Sequence, residues 1–497
     1  MRGSHPFAIF VFLSGLAGAA PSDDHAEQSR RGKELMAAGR FAEAVPVYRA
    51  LAAAMPRNAG LLLNLGMALH MAGEDEAALA PLSEAAKIDP SLTPASLFLG
   101  IVNVKLGRPE NAIAPLQKVV RRHPTDKDAR SMLAEAFVTA GRYAEAVPHL
   151  SRLAQLAPTD PGAWFNLGNA YEELAGGLVA RLMDEHPDSA FTLALAAEAR
   201  ARGGQPSGAF HLYRQAMAAA KPGIRGLHGA VAAIYRNAGH TEWADVEVLK
   251  ERLLPQADCL RDRAECAFQA ARYQDVIAAP ARADDAKTLY WRARAYDRLA
   301  SQAFDRLAAL PPSALFHEHM AQVRRHERRH SESADHWRKA IAMAPADPRL
   351  RMELAVTLRQ QRDLEGAQRV LDELLAKAPD APDLNYFVGD ILLARDQPEN
   401  AIPFLEKAVR LEPDAAHAHG ALGRAYALVG RAADAVPHLK QALPADVDGS
   451  LRYQLARSYQ AAGRDEDARL ALQDYEAFRK ERATPEPAED LALTPPQ

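Results

Sequence analysis

The amino-acid sequence predicts an all-α solenoid, built from about thirteen helical hairpins stacked along the chain. Three ladders of residues predict it, each with an interval of 34 residues. The prolines of the first ladder are Pro56, Pro90, Pro124 and Pro158. The second ladder is Gly39, Gly73, Gly107 and Gly141, and the third is Gly32, Gly66, Gly100, Ala134 and Gly168. An interval kept this regularly indicates one supersecondary unit that repeats.

Residues 59–92 show how one unit folds. The first half carries leucines at helical spacing around Gly66, which predicts an amphipathic helix. At Gly66 the contact face of this helix carries only a hydrogen atom in place of a side chain. Gly73 accepts the positive φ that closes a helix, a second apolar stripe follows, and Pro90 prevents that second helix from continuing. With Ala59 as position 1, small residues at positions 8 and 20 let the two helices approach closely, while large residues fill the seam.

This pattern of small and large positions resembles the tetratricopeptide repeat, whose period it shares. The resemblance continues almost to the end of the chain. Matching residues include Trp164, Gly168 and Tyr171; Val231, Ala232, Tyr235, Gly239 and Ala244; Gly389, Gly423, Tyr426, Gly430 and Ala435; and Leu455, Ala456, Tyr459, Gly463 and Ala468. It implies a right-handed superhelix in which positions 2, 5, 9 and 12 of the first helices line a groove for protein segments.

Irregularities in the pattern suggest six segments. We expect a signal peptide at 1–19, an N-terminal array at 22–173, divergent repeats at 174–256, irregular hairpins at 257–313, a C-terminal array at 314–480 and a disordered tail at 481–497. The divergent part is expected to begin with a shortened second helix, Leu178–Asp184, before Pro187. The sequence that precedes Pro312 is similar to the sequence that precedes Pro187, which suggests that a block of repeats was duplicated. Prolines such as Pro46 predict that some second helices begin late.

The first twenty residues have the features of a secretory signal peptide. A positive start at Arg2 precedes an apolar stretch from Phe7 to Ala20, which contains the cleavage-site pattern Ala17-Gly18-Ala19. We therefore expect export through the Sec pathway to the periplasm or the medium, with no integral membrane span after cleavage. The apolar stretch is short for a bilayer span, but retention as an uncleaved anchor stays open.

Charge and cysteine content narrow the function further. The formal net charge is −4, which disfavours nucleic acid as a partner. The two cysteines, Cys259 and Cys266, are expected on one helix. There they would be separated by about 10.5 Å along its axis, too far for a disulfide, so they are predicted to be small buried residues.

One sequence motif suggests a zinc peptidase. His326-Glu327-Arg328-Arg329-His330 reads H-E-x-x-H, and His336 follows at the spacing of a third zinc ligand. However, the repeat frame places Arg328 in the turn slot that Gly73 occupies elsewhere, so the two histidines would flank a turn and lose the geometry of one helix face. We predict no catalytic residue, no metal and no cofactor.

The groove positions fall into two chemical groups. The apolar candidates are Leu63, Met67, Leu97, Ile101, Val104 and Phe165. They predict either a surface for an amphipathic helix or extended peptide, or simple packing between neighbouring first helices. The polar candidates are Arg349, Arg359, Tyr386, Arg424, Tyr453 and Arg457, with Asp390 among them. Arginine and tyrosine are residue types that interfaces favour, so an acidic peptide is a reasonable ligand, while a hydrated groove with self-cancelling charges is the alternative.

The sequence therefore favours an exported scaffold, not an enzyme, that binds protein or peptide segments. Members of this family that are exported commonly serve envelope complexes, which is an analogy of fold. The alternatives are the zinc metallopeptidase at 326–330 and a solenoid that binds glycan or cell wall through its groove tyrosines.

Overall fold

The computed structural model describes residues 23–220, 223–278, 285–482 and 493–496. Within these ranges the chain forms 26 α-helices and one short 3₁₀ turn, Leu443–Ala445, and it contains no strand. The fold is an all-α solenoid, as predicted. The helices group into two compact units, and the chain passes through each of them twice.

The first unit comprises the described residues of Gly3–Pro187 and Gln256–Pro311. Its helices are α1 (Asp23–Ala37), α2 (Phe41–Ala54), α3 (Ala59–Met71), α4 (Asp75–Ile88), α5 (Thr93–Lys105), α6 (Pro109–Arg122), α7 (Lys127–Thr139), α8 (Tyr143–Leu156), α9 (Pro161–Glu185), α14 (Arg263–Gln269), α15 (Tyr273–Ala278) and α16 (Ala286–Ala308).

The second unit includes the described residues of Asp188–Pro255 and Pro312–Gln497. Its helices are α10 (Ala190–Arg202), α11 (Pro206–Ala219), α12 (Leu227–Asn237), α13 (Thr241–Leu253), α17 (Ala314–His326), α18 (His330–Met343), α19 (Pro348–Gln360), α20 (Leu364–Lys377), α21 (Pro382–Ala394), α22 (Pro398–Leu411), α23 (Ala416–Leu428), α24 (Ala432–Ala442), α25 (Ser450–Ala461) and α26 (Asp465–Arg482).

Each hairpin closes through a small residue of the first helix and a large residue of the second. A Cβ built on Gly66 would lie 2.4 Å from the Leu82 side chain, and one on Gly389 would lie 2.5 Å from Leu405. Both leucines are fully buried. The predicted roles of positions 8 and 24 are therefore confirmed, because in these two hairpins a methyl group at position 8 would overlap the leucine at position 24 unless one of them shifted.

The turn between the two helices needs one residue with positive φ. Gly39, Gly73, Gly107 and Gly141 have φ between 69° and 85°. Arg328 occupies the same slot with φ of 58°, as the repeat frame predicted. A non-glycine residue in this region carries a conformational cost, which the packing of the flanking helices must offset.

The prediction that second helices begin late at their prolines is wrong. Helix α2 begins at Phe41 and continues through Pro46. Pro46 removes one backbone hydrogen bond. Its neighbours Val45 and Tyr48 are buried, and this packing outweighs the lost bond.

The prediction of a shortened helix at Leu178–Asp184 is also wrong. Helix α9 runs without a break for 25 residues, and α16, which ends close to Pro312, runs for 23. The two long helices pack on each other, and Phe304 fills the space beside Gly168 that a second helix would ordinarily fill. The described helices thus form twelve sequential hairpins and one pair assembled from distant segments.

The two cysteines form a disulfide, which contradicts the prediction from helical spacing. Cys259 lies in the turn before α14, and Cys266 lies within that helix. Their Cα atoms are 5.7 Å apart, an ordinary distance for a disulfide. The prediction failed because it placed both residues on one continuous helix.

The two ends of the sequence are only partly described. The signal-peptide prediction for residues 1–19 lies outside the described residues. The predicted disordered tail is wrong at Glu481 and Arg482, which belong to α26, and at Leu493–Pro496, which is a described extended segment, and the rest of the tail lies outside the described residues. In the ranges that the structure covers, no helix has both the length and the hydropathy that a bilayer span requires.

Candidate functional site

The apolar candidates of the N-terminal repeats separate into buried and accessible residues. Leu63 and Phe165 are only 2% and 6% exposed, so they offer little surface to a ligand. The other four, Met67, Leu97, Ile101 and Val104, are half-buried on the first helices α3 and α5. We call these four residues the apolar face.

A shallow depression adjoins the apolar face. Its volume is about 370 Å³, and Met67, Leu97, Phe98 and Val119 provide much of its apolar lining. His123 and Asp126 lie at the same depression. It is large enough for one apolar side chain of a partner, and it belongs entirely to α3, α5, α6 and the connections beside them.

Ion pairs connect successive first helices of the C-terminal array. Arg349 of α19 forms a bidentate pair with Glu318 of α17, whose side chain is 2% exposed. Arg325 of α17 contacts Glu353 of α19 at 2.5 Å. Arg349 is thus engaged by its neighbour, and the hydrogen bond to Glu318 raises its pKa.

Asp390 of α21 lies between two arginines and forms ion pairs of unequal length with them. Its carboxylate is 2.6 Å from Nε of Arg359 on α19, but 3.4 Å from the guanidinium of Arg424 on α23. The Nε of Arg424 is buried and has no hydrogen-bond partner among the described residues. Two positive charges share one carboxylate here, which leaves hydrogen-bonding capacity on Arg424.

Aromatic and positively charged side chains lie on the first helices from α21 to α25, next to Asp390 and its two arginines. Tyr386 is half-buried, and its ring packs edge-on against His417 with ring centroids 4.4 Å apart. Burial raises the pKa of the Tyr386 hydroxyl. Tyr453 is 44% exposed, and Arg457 is exposed without an ion pair to a described residue. We call this set the arginine face: Arg359, Tyr386, Asp390, His417, Arg424, Tyr453 and Arg457.

The H-E-x-x-H residues are split between two helices. His326 ends α17, and its Nδ1 donates to the carbonyl oxygen of Gln322 at 2.9 Å. His330 begins α18, and His336 instead contacts His317, with 3.0 Å between their Nδ1 atoms. Among the described residues, no group of three or more histidine, cysteine or carboxylate side chains is arranged to hold a metal ion.

The sequence reasoning missed the carboxylates that neutralise part of the arginine row. Glu318 and Glu353 occupy positions 5 and 6 of their repeats, and their partners lie 31 positions after and 28 positions before them, slightly less than one repeat. Pairing acidic and basic residues about 28 to 31 positions apart would have found both ion pairs, because neighbouring first helices are separated by roughly one repeat.

The chain is thus a helical-hairpin repeat protein, with its variable side chains displayed on the first helices. A tetratricopeptide-repeat profile matches residues 29–92, 97–161, 131–206, 320–382 and 352–416, which together cover more than half of the chain. Two further profiles of this repeat match 392–454 and 190–294. The chain belongs to the tetratricopeptide repeat family, whose repeats are scaffolds for protein–protein interaction. Among curated proteins, no sequence matches it.

Several solved structures resemble part of the chain. MamA from Desulfovibrio magneticus RS-1 is 21% identical over 30% of this chain and 85% of its own, with a TM-score of 0.29. TTC0263 from Thermus thermophilus is 22% identical over 34% and 93%, with a TM-score of 0.29. YrrB, described as a TPR protein with an unusual peptide-binding site, is 18% identical over 34% and 88%, also with a TM-score of 0.29. The family assignment does not depend on these partial likenesses.

Proposed function

We propose that this protein is an exported scaffold that binds extended acidic protein segments on the arginine face and performs no chemical step on them. The observation that carries the proposal is the unequal sharing of Asp390. The Asp390 carboxylate lies closer to Arg359 than to Arg424, and the Nε of Arg424 is buried without a hydrogen-bond partner among the described residues. Arg457 has no ion pair with a described residue. The Arg424 side chain as a whole is 39% exposed and Arg457 is exposed, so a carboxylate from a partner can bind the accessible part of both guanidinium groups.

The aromatic residues of the arginine face support the same type of ligand. Tyr386 and Tyr453 present rings beside the positive charges, which suits a segment that alternates acidic and apolar residues. The apolar face supports a second contact of different chemistry in the N-terminal repeats, with the depression beside Leu97 as its anchor point. Glycan binding through the tyrosines remains an alternative, and the arginines favour an acidic protein segment over it.

Capture from bacterial envelope extracts tests this proposal. We expect the parent protein to retain partners of two kinds, and we expect Arg424→Glu to lose those that high salt also releases, because salt screens exposed ion pairs. Leu97→Asp should lose only partners that persist in high salt. If neither variant loses a partner that the parent captures, both faces are assigned wrongly.

Export and the absence of catalysis have tests of their own. N-terminal sequencing of protein expressed with residues 1–19 should show a mature chain that begins at Ala20, and a retained Met1 would contradict cleavage. Metal analysis of the purified protein should find no stoichiometric zinc. Zinc that is lost on substitution of His330 would instead support the peptidase alternative.

A further inference from the structure

A short extended segment near the end of the sequence lies against the second unit. The hydroxyl of Tyr235 on α12 donates a hydrogen bond to the carbonyl oxygen of Thr494, 259 residues further along the chain. Leu493 and Pro496 are half-buried, whereas Thr494 and Pro495 are exposed. A polyproline II helix has three residues per turn and so places residues i and i+3 on one face, which matches this alternation.

Aromatic side chains surround the hydrogen-bond donor. The ring of Tyr235 is fully buried, with ring centroids 5.4 Å from Phe210 of α11 and 5.5 Å from Trp243 of α13. Trp243 in turn stacks on His240 at 4.2 Å. Proline-containing extended segments are commonly recognised on aromatic surfaces that offer a hydrogen-bond donor to a backbone carbonyl.

Other tyrosines at position 11 use their hydroxyl differently. Tyr426 donates to Glu406 at 2.6 Å, and Tyr171 accepts from Gln274 at 3.1 Å. Both partners are helix side chains of the same unit as their tyrosine. The Tyr235 hydroxyl instead bonds a main-chain carbonyl, a group that every extended segment carries, so this contact does not depend on the identity of residue 494.

The packing around α12 also differs from that of other repeats. Helix α11 contacts α12 much less extensively than α6 contacts α7 or α8 contacts α9. The interface between these two hairpins is thus smaller than those between the hairpins of the N-terminal array. The site is thus built into the repeat array and does not require a new fold element.

We propose that the surface formed by Phe210, Tyr235, His240 and Trp243 is a binding site for extended proline-containing segments, and that Leu493–Pro496 of the same chain occupies it as a tethered ligand. A partner's segment must therefore displace the chain's own segment before it binds. This site is separate from the arginine face and the apolar face, and it does not depend on the function proposed for them.

Tethering explains how so small a contact is occupied. Ten residues, 483–492, connect α26 to the bound segment. A short tether gives an effective concentration on the order of 1 mM, so a segment with an intrinsic Kd of about 100 μM would be bound most of the time. The same arithmetic predicts that a free peptide of this sequence binds roughly ten-fold more weakly to the parent than to a chain whose own segment is disabled.

Fluorescence anisotropy with a labelled peptide of residues 488–497 tests the proposal in the full-length chain. The parent is compared with the double variant Leu493→Asp, Pro496→Asp, which keeps every helix but removes the half-buried apolar contacts. We expect the double variant to bind the peptide about ten-fold more tightly than the parent. Adding Tyr235→Phe to the double variant should weaken binding about five-fold, since one hydrogen bond is lost.

The matched control is Tyr426→Phe in the same double variant, which removes a hydroxyl at the same repeat position and should leave peptide binding unchanged. Equal affinity of the parent and the double variant, or no binding by either, would overturn the proposal. Light scattering would show a dimer of the parent, but not of the double variant, if the segment bound a second copy of the chain. That result would overturn the proposal that the segment binds within its own chain.

Discussion

The N-terminal helices α1–α8 and the C-terminal helices α17–α26 repeat the same packing with different surface chemistry. In both arrays a glycine at position 8 receives a leucine at position 24, as Gly66 receives Leu82 and Gly389 receives Leu405. On the first helices, however, the N-terminal array presents Leu97 and Ile101 where the C-terminal array presents Tyr386 and Asp390. Packing positions therefore determine the backbone, and the positions between them are free to determine what is bound.

The largest predicted effect tests whether the two arrays are packed equally well. Leu82→Ala and Leu405→Ala each remove a fully buried side chain beside a glycine, and each should lower the free energy of unfolding by about 2–5 kcal/mol. Urea unfolding, with hydrogen exchange to locate the weakened helices, measures the loss. Leu428→Ala is the control, because Leu428 is 61% exposed and its truncation should cost less than about 0.5 kcal/mol. A loss confined to one array would contradict equal packing.

Acid should weaken the C-terminal array more than the N-terminal array. Burial lowers the pKa of His317, His336 and His438, and it lowers the pKa of His319 to about 4. In α1–α8, burial lowers the pKa of one described histidine, His149. The neutral form of each group is favoured in the folded state, so stability is complete above the unfolded pKa of about 6.5 and is lost as the pH falls below it.

For His319 alone, the loss between pH 6.5 and pH 5 is on the order of 2 kcal/mol. Hydrogen exchange at both pH values should show earlier opening of α17 and α18 at the lower one. The variant His319→Gln should reduce this difference. Equal acid sensitivity of the two arrays would contradict the assignment of the effect to the histidines.

A smaller effect distinguishes the two faces. Asp390→Asn removes the carboxylate between Arg359 and Arg424, and it should lower stability by about 1–2 kcal/mol, because both arginines remain partly exposed. It should also tighten the binding of an acidic peptide, since two guanidinium groups become available. Ile101→Asn, at the same repeat position of the apolar face, should leave the affinity for that peptide unchanged. Weaker peptide binding by Asp390→Asn would mean that the carboxylate itself contacts the ligand.

The smallest predicted effect concerns the turns. The N-terminal array uses glycine in the turn slot, whereas Arg328, Arg362 and Asp396 have φ of 58° to 66° there. Arg362→Gly should stabilise the chain by about 0.5–1 kcal/mol, and Gly107→Ala should destabilise it by about 1 kcal/mol. Thermal unfolding measures both. The same sign for both substitutions would contradict the difference in backbone cost.

The sequence predicted what depends on neighbours within one repeat. The contact of Gly66 with Leu82 and the turn at Arg328 both follow from spacing within 34 residues, and the structure confirms both. Because the repeat frame placed Arg328 in the turn, the sequence also predicted that His326 and His330 would not share a helix. Local spacing is sufficient here because each hairpin packs mainly on itself and its neighbours.

The sequence did not predict what depends on distant segments. The pairing of α9 with α16 joins residues more than 100 positions apart, and no repeat interval signals it. A separate short helix was predicted at Leu178–Asp184, yet α9 continues through Gly176 and Gly177, and the packing that fully buries Leu182 favours the continuous helix. The contact of Tyr235 with Thr494 was not predicted for the same reason. The disulfide was not predicted because the turn before α14 was taken for helix.

The most direct test of the central claim is the salt dependence of binding of an acidic decapeptide to the parent, Arg424→Glu and Leu97→Asp. The account predicts that the parent binds at low salt and loses affinity as salt rises, that Arg424→Glu binds at least about ten-fold more weakly at low salt, and that Leu97→Asp matches the parent. Binding that ignores salt, or that Leu97→Asp weakens as much as Arg424→Glu does, would contradict it.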